Sequence, residues 1–128
     1  MGKMRIEPVI KWSGSKRTQA QAIINQFGKF DCYYEPFLGG GSVLYALHPS
    51  HAVCGDICEP LIGFWKMVQK SPQEVTAYYS HEWNRLQKDG YEVYYEIRSR
   101  FNAHKSPLDL LFLSRTCVNG LIRFNAEG

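Results

Sequence analysis

The chain has 128 residues, enough for one domain around a single core, and its 45% hydrophobic and 14% aromatic content is typical of a soluble globular protein. No apolar run approaches the roughly 20 residues that cross a bilayer, and the N-terminal MGKMRIEPVIKW lacks the apolar segment of a secretory signal, which predicts a cytoplasmic protein without a membrane partner. The net charge of +3 is small but uneven: residues 1–30 hold six Lys/Arg against one Glu, residues 31–96 four against nine acidic residues, and residues 97–128 five against two. The two basic ends are compatible with one positive groove or with ordinary solvated surface.

Helical and strand patterns alternate through the first half of the chain. Ile23, Ile24 and Phe27 fall on one face of a helix, and Asp56 lies at the exit of an apolar segment. In chain order the patterns predict a short helix over 18–27, a buried strand over 30–37, a helix over 42–47 and a second strand over 51–57.

The second half reads as helical throughout. Helices are predicted over 60–69, 71–87 and 91–101, followed by one that begins at Ser106. The aromatic residues of 91–101 would also suit a strand, but the spacing of Tyr91, Tyr94 and Arg98 favours a helix. For the last helix we expect Ser106 to cap the free amides, Pro107 to occupy the first turn and Asp109 to complete a box-like cap.

The order strand, glycine turn, helix, strand, helix is that of a doubly wound α/β sheet. Only two convincing strands are present, whereas a parallel sheet needs several strands covered on both faces. The sequence therefore predicts an incomplete α/β fold, with these 128 residues as the front part of a longer protein. Open sheet edges of this kind make self-association possible.

Three consecutive glycines, Gly39 to Gly41, follow the first predicted strand. A dinucleotide fingerprint needs a third glycine where Leu44 stands, and a P-loop needs Lys-Ser/Thr where Ser42-Val43 stands. Both phosphate-binding loops are disfavoured. The remaining interpretations are a simple packing turn or a backbone that approaches a nucleoside closely. Asp56 supports the second interpretation. In such folds an acidic side chain about 20 residues further along the chain hydrogen-bonds the ribose hydroxyls. Ile57, the next residue, is placed to pack on an adenine.

The four cysteines, Cys32, Cys54, Cys58 and Cys117, form no C-x-x-C pair. The spacing of Cys54 and Cys58 fits no common zinc ligand pattern. We expect four free thiols, mostly buried, and no metal site.

Four segments together resemble the Dam-type, D12 class adenine-N6 DNA methyltransferases. They are Lys11-Trp-Ser-Gly-Ser-Lys16, Glu35-Pro-Phe-Leu-Gly-Gly-Gly-Ser-Val43, Gly55-Asp56 and Ser114-Arg-Thr-Cys-Val-Asn-Gly-Leu-Ile-Arg-Phe-Asn125. They occur in the order and at the spacing of that family. The resemblance covers nearly the whole chain and implies a Rossmann-like S-adenosylmethionine-dependent methyltransferase fold of bacterial or phage origin. It also implies a division into a cofactor-binding part, 1–64, and the start of a helical DNA-recognition region, 65–128.

S-adenosylmethionine is the cofactor that the resemblance implies. The turn from Glu35 through Gly39, Gly40 and Gly41 would wrap its methionine portion, with Phe37 near the nucleoside. Asp56 would hold the ribose hydroxyls, and Trp12 and Lys16 would close the pocket. A sulfonium beside an indole gains roughly 0.5–2 kcal/mol of cation–π stabilisation. As isolated residues, Trp12 is equally a core aromatic and Lys16 a solvated charge.

Double-stranded DNA is the implied partner. Arg123 matches a position that reads a guanine edge, Lys11 one that contacts a base near the other end of the site, and Arg115 and Asn119 positions that contact the backbone or base stack. Val118 stands where related enzymes often carry an aromatic wedge, and a valine can insert but stacks poorly.

The family's catalytic Asp-Pro-Pro-Tyr motif is absent, because no two of the six prolines are adjacent. No catalytic residue is therefore assigned, and we expect DNA adenine-N6 methyltransferase activity of the parent protein but not of this chain alone. The alternatives are a non-catalytic relative that binds cofactor or DNA, one half of a split enzyme, and an NAD-dependent oxidoreductase.

Overall fold

The computed structural model describes residues 8–126 of the chain. This part contains two short parallel strands, six α-helices and one 3-10 turn. In chain order they are α1 (Ala20–Ile24), β1 (Tyr33–Glu35), α2 (Ser42–Leu47), β2 (Ala52–Cys54), α3 (Glu59–Lys70), α4 (Pro72–Asp89), α5 (Glu92–His104), α6 (Pro107–Thr116) and the 3-10 turn Val118–Gly120.

The first half forms one strand–helix–strand unit. Strands β1 and β2 pair in parallel, with Tyr33 opposite Ala52 and Glu35 opposite Cys54. Parallel strands cannot be joined by a hairpin, so the chain crosses over through α2. Ala20 of α1, Tyr33 of β1 and Val43 of α2 form a small apolar cluster between these elements. The exits of both strands consequently lie at the same edge of the sheet.

The second half is a helical bundle built around α6. Residues 109–114 of this helix are all buried, and it contacts α3, α4 and α5. A helix that is apolar on nearly every side is stable only inside a core, which explains the central position of Leu110–Leu113. Ile10 is buried in the same core, so the segment before α1 is fixed against the bundle.

An ion pair between a buried carboxylate and a partly exposed guanidinium connects α5 and α6. Arg100 donates to both carboxylate oxygens of Asp109, from Nε at 3.0 Å and from Nη2 at 2.7 Å. The Tyr78 hydroxyl of α4 also donates to Asp109, and burial together with this bond raises the pKa of Tyr78 above its usual range. A bidentate guanidinium satisfies a buried carboxylate that would otherwise be costly to desolvate.

The predicted cap of α6 is therefore wrong in its details. Ser106 is the N-terminal boundary residue and Pro107 lies in the first turn, but the Ser106 side chain makes no capping hydrogen bond. Asp109 does not complete a box, because it faces inward to Arg100. The contact with the neighbouring helix α5 decides the role of this carboxylate.

The predicted element types are confirmed, with different boundaries. The helix over 42–47 is α2, and the ambiguous segment 91–101 is helical. Both predicted strands are shorter than expected, at three residues each. The predicted division at residue 64 falls within the continuous helix α3 and stays a prediction. The four cysteines are free, as predicted, but each is partly exposed rather than buried.

Across residues 8–126, no helix is both long enough and apolar enough to span a bilayer.

Gly63 allows α3 and α6 to approach closely. A Cβ at this position would lie 2.6 Å from Cγ of Pro107. We predict that Gly63→Ala lowers the free energy of unfolding by about 1–3 kcal/mol, because overpacking outweighs the gain in helix propensity. Urea denaturation measures this. Gly28→Ala is the control, since nothing lies within 4 Å of its added Cβ, and equal stability of the two variants would contradict the close contact.

Candidate cofactor pocket and nucleic-acid groove

A cavity of about 510 Å³ opens at the edge of the sheet where both strands end. Gly39, Gly40, Gly41 and Asp56 line it together, although the glycines and the carboxylate belong to different strand exits. The parallel pairing of β1 and β2 explains this, because it brings the two exits side by side. The volume lies within the range of small-molecule sites, roughly 300–1,000 Å³.

The glycine turn has a backbone that side chains rarely allow. Gly39 and Gly41 have φ angles of 52° and 72°, in the left-handed region. Their missing Cβ atoms leave space that indole rings occupy: a Cβ on Gly39 would lie 3.2 Å from Trp12, and one on Gly41 3.2 Å from Trp65. The turn is thus held between two tryptophans from different parts of the chain.

Asp56 connects the glycine turn to helix α3. Its Oδ2 accepts a hydrogen bond from the Gly39 amide at 2.9 Å, and its Oδ1 accepts one from the Cys58 amide at 3.0 Å. Cys58 is the boundary residue of α3. A carboxylate has about four acceptor positions, so two remain for a ligand. The carboxylate faces the predicted cavity and not an unrelated surface.

Glu35 is held in a similar way at the end of β1. Its Oε1 accepts from the Phe37 amide at 3.1 Å, and its Oε2 accepts from the hydroxyl of Tyr33. Burial and this hydrogen bond raise the pKa of Tyr33, so its hydroxyl stays protonated and able to donate. Both carboxylates at the cavity are therefore oriented by the chain itself.

The segment 11–16 forms one wall of the cavity. Trp12 packs on the glycine turn, and the Ser15 hydroxyl lies 2.7 Å from that of Ser42 at the start of α2. Lys16 lines the cavity, and its Nζ donates to the Gly14 carbonyl at 2.6 Å. This wall combines one indole, hydroxyl groups and one ammonium group.

Two of the predicted cofactor residues lie at the outside. Phe37 lines the cavity but is 83% exposed, so its ring covers the cavity without being packed by the chain. Ile57 is 99% exposed and does not line the cavity. Its contact with an adenine stays a prediction.

A groove of about 300 Å³, separate from the cavity, lies on the other side of the wall formed by segment 11–16. Lys11 and Asn119 line it, so two of the predicted DNA-contacting residues meet although they are far apart in sequence. Asn119 has a positive φ of 55° within the 3-10 turn, and the Lys11 side chain packs beside Gly120. Trp12, Ser13 and Ser15 line both this groove and the larger cavity.

The other predicted DNA residues are outside this groove. Arg115 donates from Nη1 to the carbonyls of Pro8 and Val9, at 3.3 and 3.2 Å, and its guanidinium lies 5.7 Å from the Tyr79 ring centre. Val118 is 82% exposed at the start of the 3-10 turn, and Arg123 is exposed in the segment that follows. Arg115 thus fixes the N-terminal segment against α6.

Two residues of the site were missed by the sequence reasoning. Trp65 of α3 donates from Nε1 to the Gly39 carbonyl at 2.9 Å, and Tyr33 orients Glu35. Alternation along a strand puts Tyr33 and Glu35 on the same face, which was a usable signal. No sequence pattern singled out Trp65.

In the part of the chain that the structure describes, no three His, Cys, Asp or Glu side chains are grouped so as to hold a metal ion. Burial raises the pKa values of the Cys54 and Cys58 thiols, which lie close to the site. These cysteines are accordingly poor thiolates at neutral pH.

A cavity at the strand exits lies next to a groove lined by Lys11, and comparison with known proteins gives the family. The model of the D12 class N6 adenine-specific DNA methyltransferases matches residues 12–128. The chain belongs to this family.

Curated relatives agree with this assignment. The Type II methyltransferase M.MjaIII of Methanocaldococcus jannaschii is 31% identical over 98% of this chain and 50% of its own length. The DNA adenine methylase of Escherichia coli K12 is 32% identical over 93% of this chain and 44% of its own length. The Type II methyltransferase M1.LlaDCHI of Lactococcus lactis is 25% identical, with 98% and 46% coverage. The chain spans about half the length of these relatives.

Gly41 is the most constrained position of the turn. We predict that Gly41→Ala lowers the free energy of unfolding by about 1–2 kcal/mol or more, because a left-handed residue acquires a Cβ that meets the Trp65 ring. Thermal or urea unfolding tests this. Gly55→Ala is the matched control, with open space at its Cβ. A stability loss no larger than that of the control would contradict the strained geometry.

Proposed function

We propose that this chain carries the cofactor-binding and DNA-contacting part of a DNA adenine-N6 methyltransferase that uses S-adenosylmethionine. The observation that carries the proposal is the single cavity shared by the glycine turn and Asp56, with a basic groove on the other side of the same wall. The strand–glycine turn–helix–strand order supports a Rossmann-like fold for the complete catalytic domain.

The charge of the cavity fits this cofactor. Among the lining residues, Glu35 and Asp56 are acidic and Lys16 is basic, a balance of one negative charge. S-adenosylmethionine carries a sulfonium, an ammonium and a carboxylate, a balance of one positive charge. The lining residues also include Trp12 and Phe37, whose rings suit the sulfonium and the adenine. An NAD pyrophosphate would instead meet two carboxylates, which disfavours the oxidoreductase alternative.

The residues divide between the two ends of the ligand. We assign the amino-acid end to Glu35, Lys16 and the backbone of Gly39–Gly41, and the ribose hydroxyls to the free acceptor positions of Asp56. Trp12 and Phe37 would cover the ligand, with Ile57 at the rim beside the adenine. When bound, the cofactor supplies an activated methyl group.

DNA would lie along the groove and the 3-10 turn beside it. Lys11 and Asn119 line this groove, Val118 projects from the same turn, and Arg123 follows it in the chain. Arg115 positions the groove in this structure through Pro8 and Val9. We propose that the helical part, residues 65–128, contributes target recognition, while residues 1–64 hold the cofactor.

Methyl transfer itself requires groups that this sequence does not contain. A target adenine must be held outside the stack by acceptors to its amino group, as Asp-Pro-Pro-Tyr does in the family that the chain resembles. No such motif occurs in the 128 residues. We propose that they bind cofactor and DNA but do not methylate without that motif.

Calorimetry tests the cofactor assignment. We predict that the chain binds S-adenosylmethionine and S-adenosylhomocysteine, and NAD much more weakly. Asp56→Ala should lose most of this binding, because it removes the ribose acceptor and the bond to Gly39. Glu59→Ala, in the first turn of α3, is the control. A preference for NAD would refute the proposal, and methyl incorporation into DNA by the chain alone would refute its inactivity.

Salt-dependent DNA binding tests the groove. We predict that Lys11→Ala weakens binding to an adenine-containing duplex. The magnitude of the slope of log K against log salt should fall by about 1, because the variant lacks one cation that contacts a phosphate or a base edge. Lys29→Ala should leave the slope unchanged, since Lys29 lines neither cavity nor groove. Fluorescence anisotropy between 50 and 200 mM salt gives both slopes. Equal slopes for the two variants would place DNA elsewhere.

A further inference from the structure

The Tyr33–Glu35 pair is a feature of the cavity that cofactor binding in general does not explain. Tyr33 is only 8% exposed, and its amide donates to the His51 carbonyl at 3.0 Å, so its backbone is fixed within the sheet. Its ring is 6.0 Å from that of Phe27 and packs in the cluster with Ala20 and Val43. The hydroxyl is therefore a rigid donor.

Glu35 would be a poorly oriented ligand group without this donor. A glutamate side chain has several rotatable bonds, and fixing them costs conformational entropy. Here Tyr33 holds Oε2 and the Phe37 amide holds Oε1. Two of about four acceptor positions stay available, and Glu35 and Tyr33 both line the cavity.

We infer that Tyr33 is a positioning residue, which holds the Glu35 carboxylate ready to accept hydrogen bonds from the ammonium group at the amino-acid end of the ligand. The inference rests on the proposed function, since it concerns the same cavity. The cost of ordering Glu35 is met during folding and not on binding, which raises affinity for ligands with the cation and leaves others unaffected.

Two ligands separate this role from a structural one. S-adenosylhomocysteine carries the ammonium group, whereas 5′-methylthioadenosine has the same nucleoside but no amino-acid end. We predict that Tyr33→Phe raises the dissociation constant of S-adenosylhomocysteine about fivefold, the effect of one hydrogen bond. Binding of 5′-methylthioadenosine should change less than about twofold. Isothermal calorimetry on the full chain measures both.

Matched variants complete the experiment. Tyr91→Phe removes a hydroxyl from a side chain that is 72% exposed at the start of α5, and should alter neither constant. Glu35→Gln should bind S-adenosylhomocysteine more weakly without losing affinity for 5′-methylthioadenosine. This variant tests the inference even if Tyr33→Phe does not fold. In the double variant the losses should not add, since both changes remove the same interaction.

The outcomes distinguish this inference from the proposed function. If the unaltered chain binds neither ligand, both are overturned. If it binds both, and Tyr33→Phe weakens them equally or weakens neither, only the positioning role is overturned. Unchanged affinity of Glu35→Gln for S-adenosylhomocysteine would also overturn it.

Discussion

The carboxylate of Asp56 is the contact on which the site depends. One oxygen accepts from the Gly39 amide and the other from the Cys58 amide, so a single side chain joins the glycine turn to the first turn of α3. Without it, the left-handed glycines would keep the Gly41 amide bond to the Leu38 carbonyl and the contacts with the indoles of Trp12 and Trp65. Charge-assisted bonds to backbone amides are stronger than neutral ones, which suits a turn without side chains of its own.

A second polar contact lies in the helical bundle. Arg100 donates two hydrogen bonds to the Asp109 carboxylate, and these bonds fix α6 against α5. The end of α6 leads directly into the 3-10 turn that carries Val118 and Asn119. The Asp109 carboxylate is buried while the Arg100 side chain is 36% exposed, so this ion pair stabilises the first turn of the helix that ends at the 3-10 turn.

Much of the arrangement could be predicted from sequence, because it follows from local rules. Hydrophobic spacing identified α2 and α5, and the separation between the glycines and Asp56 identified the shared strand edge. The failures concern contacts between elements. Asp109 was expected to complete a cap but faces Arg100 of the preceding helix, and the bond from the Trp65 indole to the Gly39 carbonyl was not predicted. A local pattern does not show which element a side chain will face.

The two candidate binding regions share a wall only a few residues thick. Adjacent residues face opposite sides of it: Trp12 packs on the glycine turn, while Lys11 packs beside Gly120 of the 3-10 turn. Arg115 holds the start of this wall through the carbonyls of Pro8 and Val9.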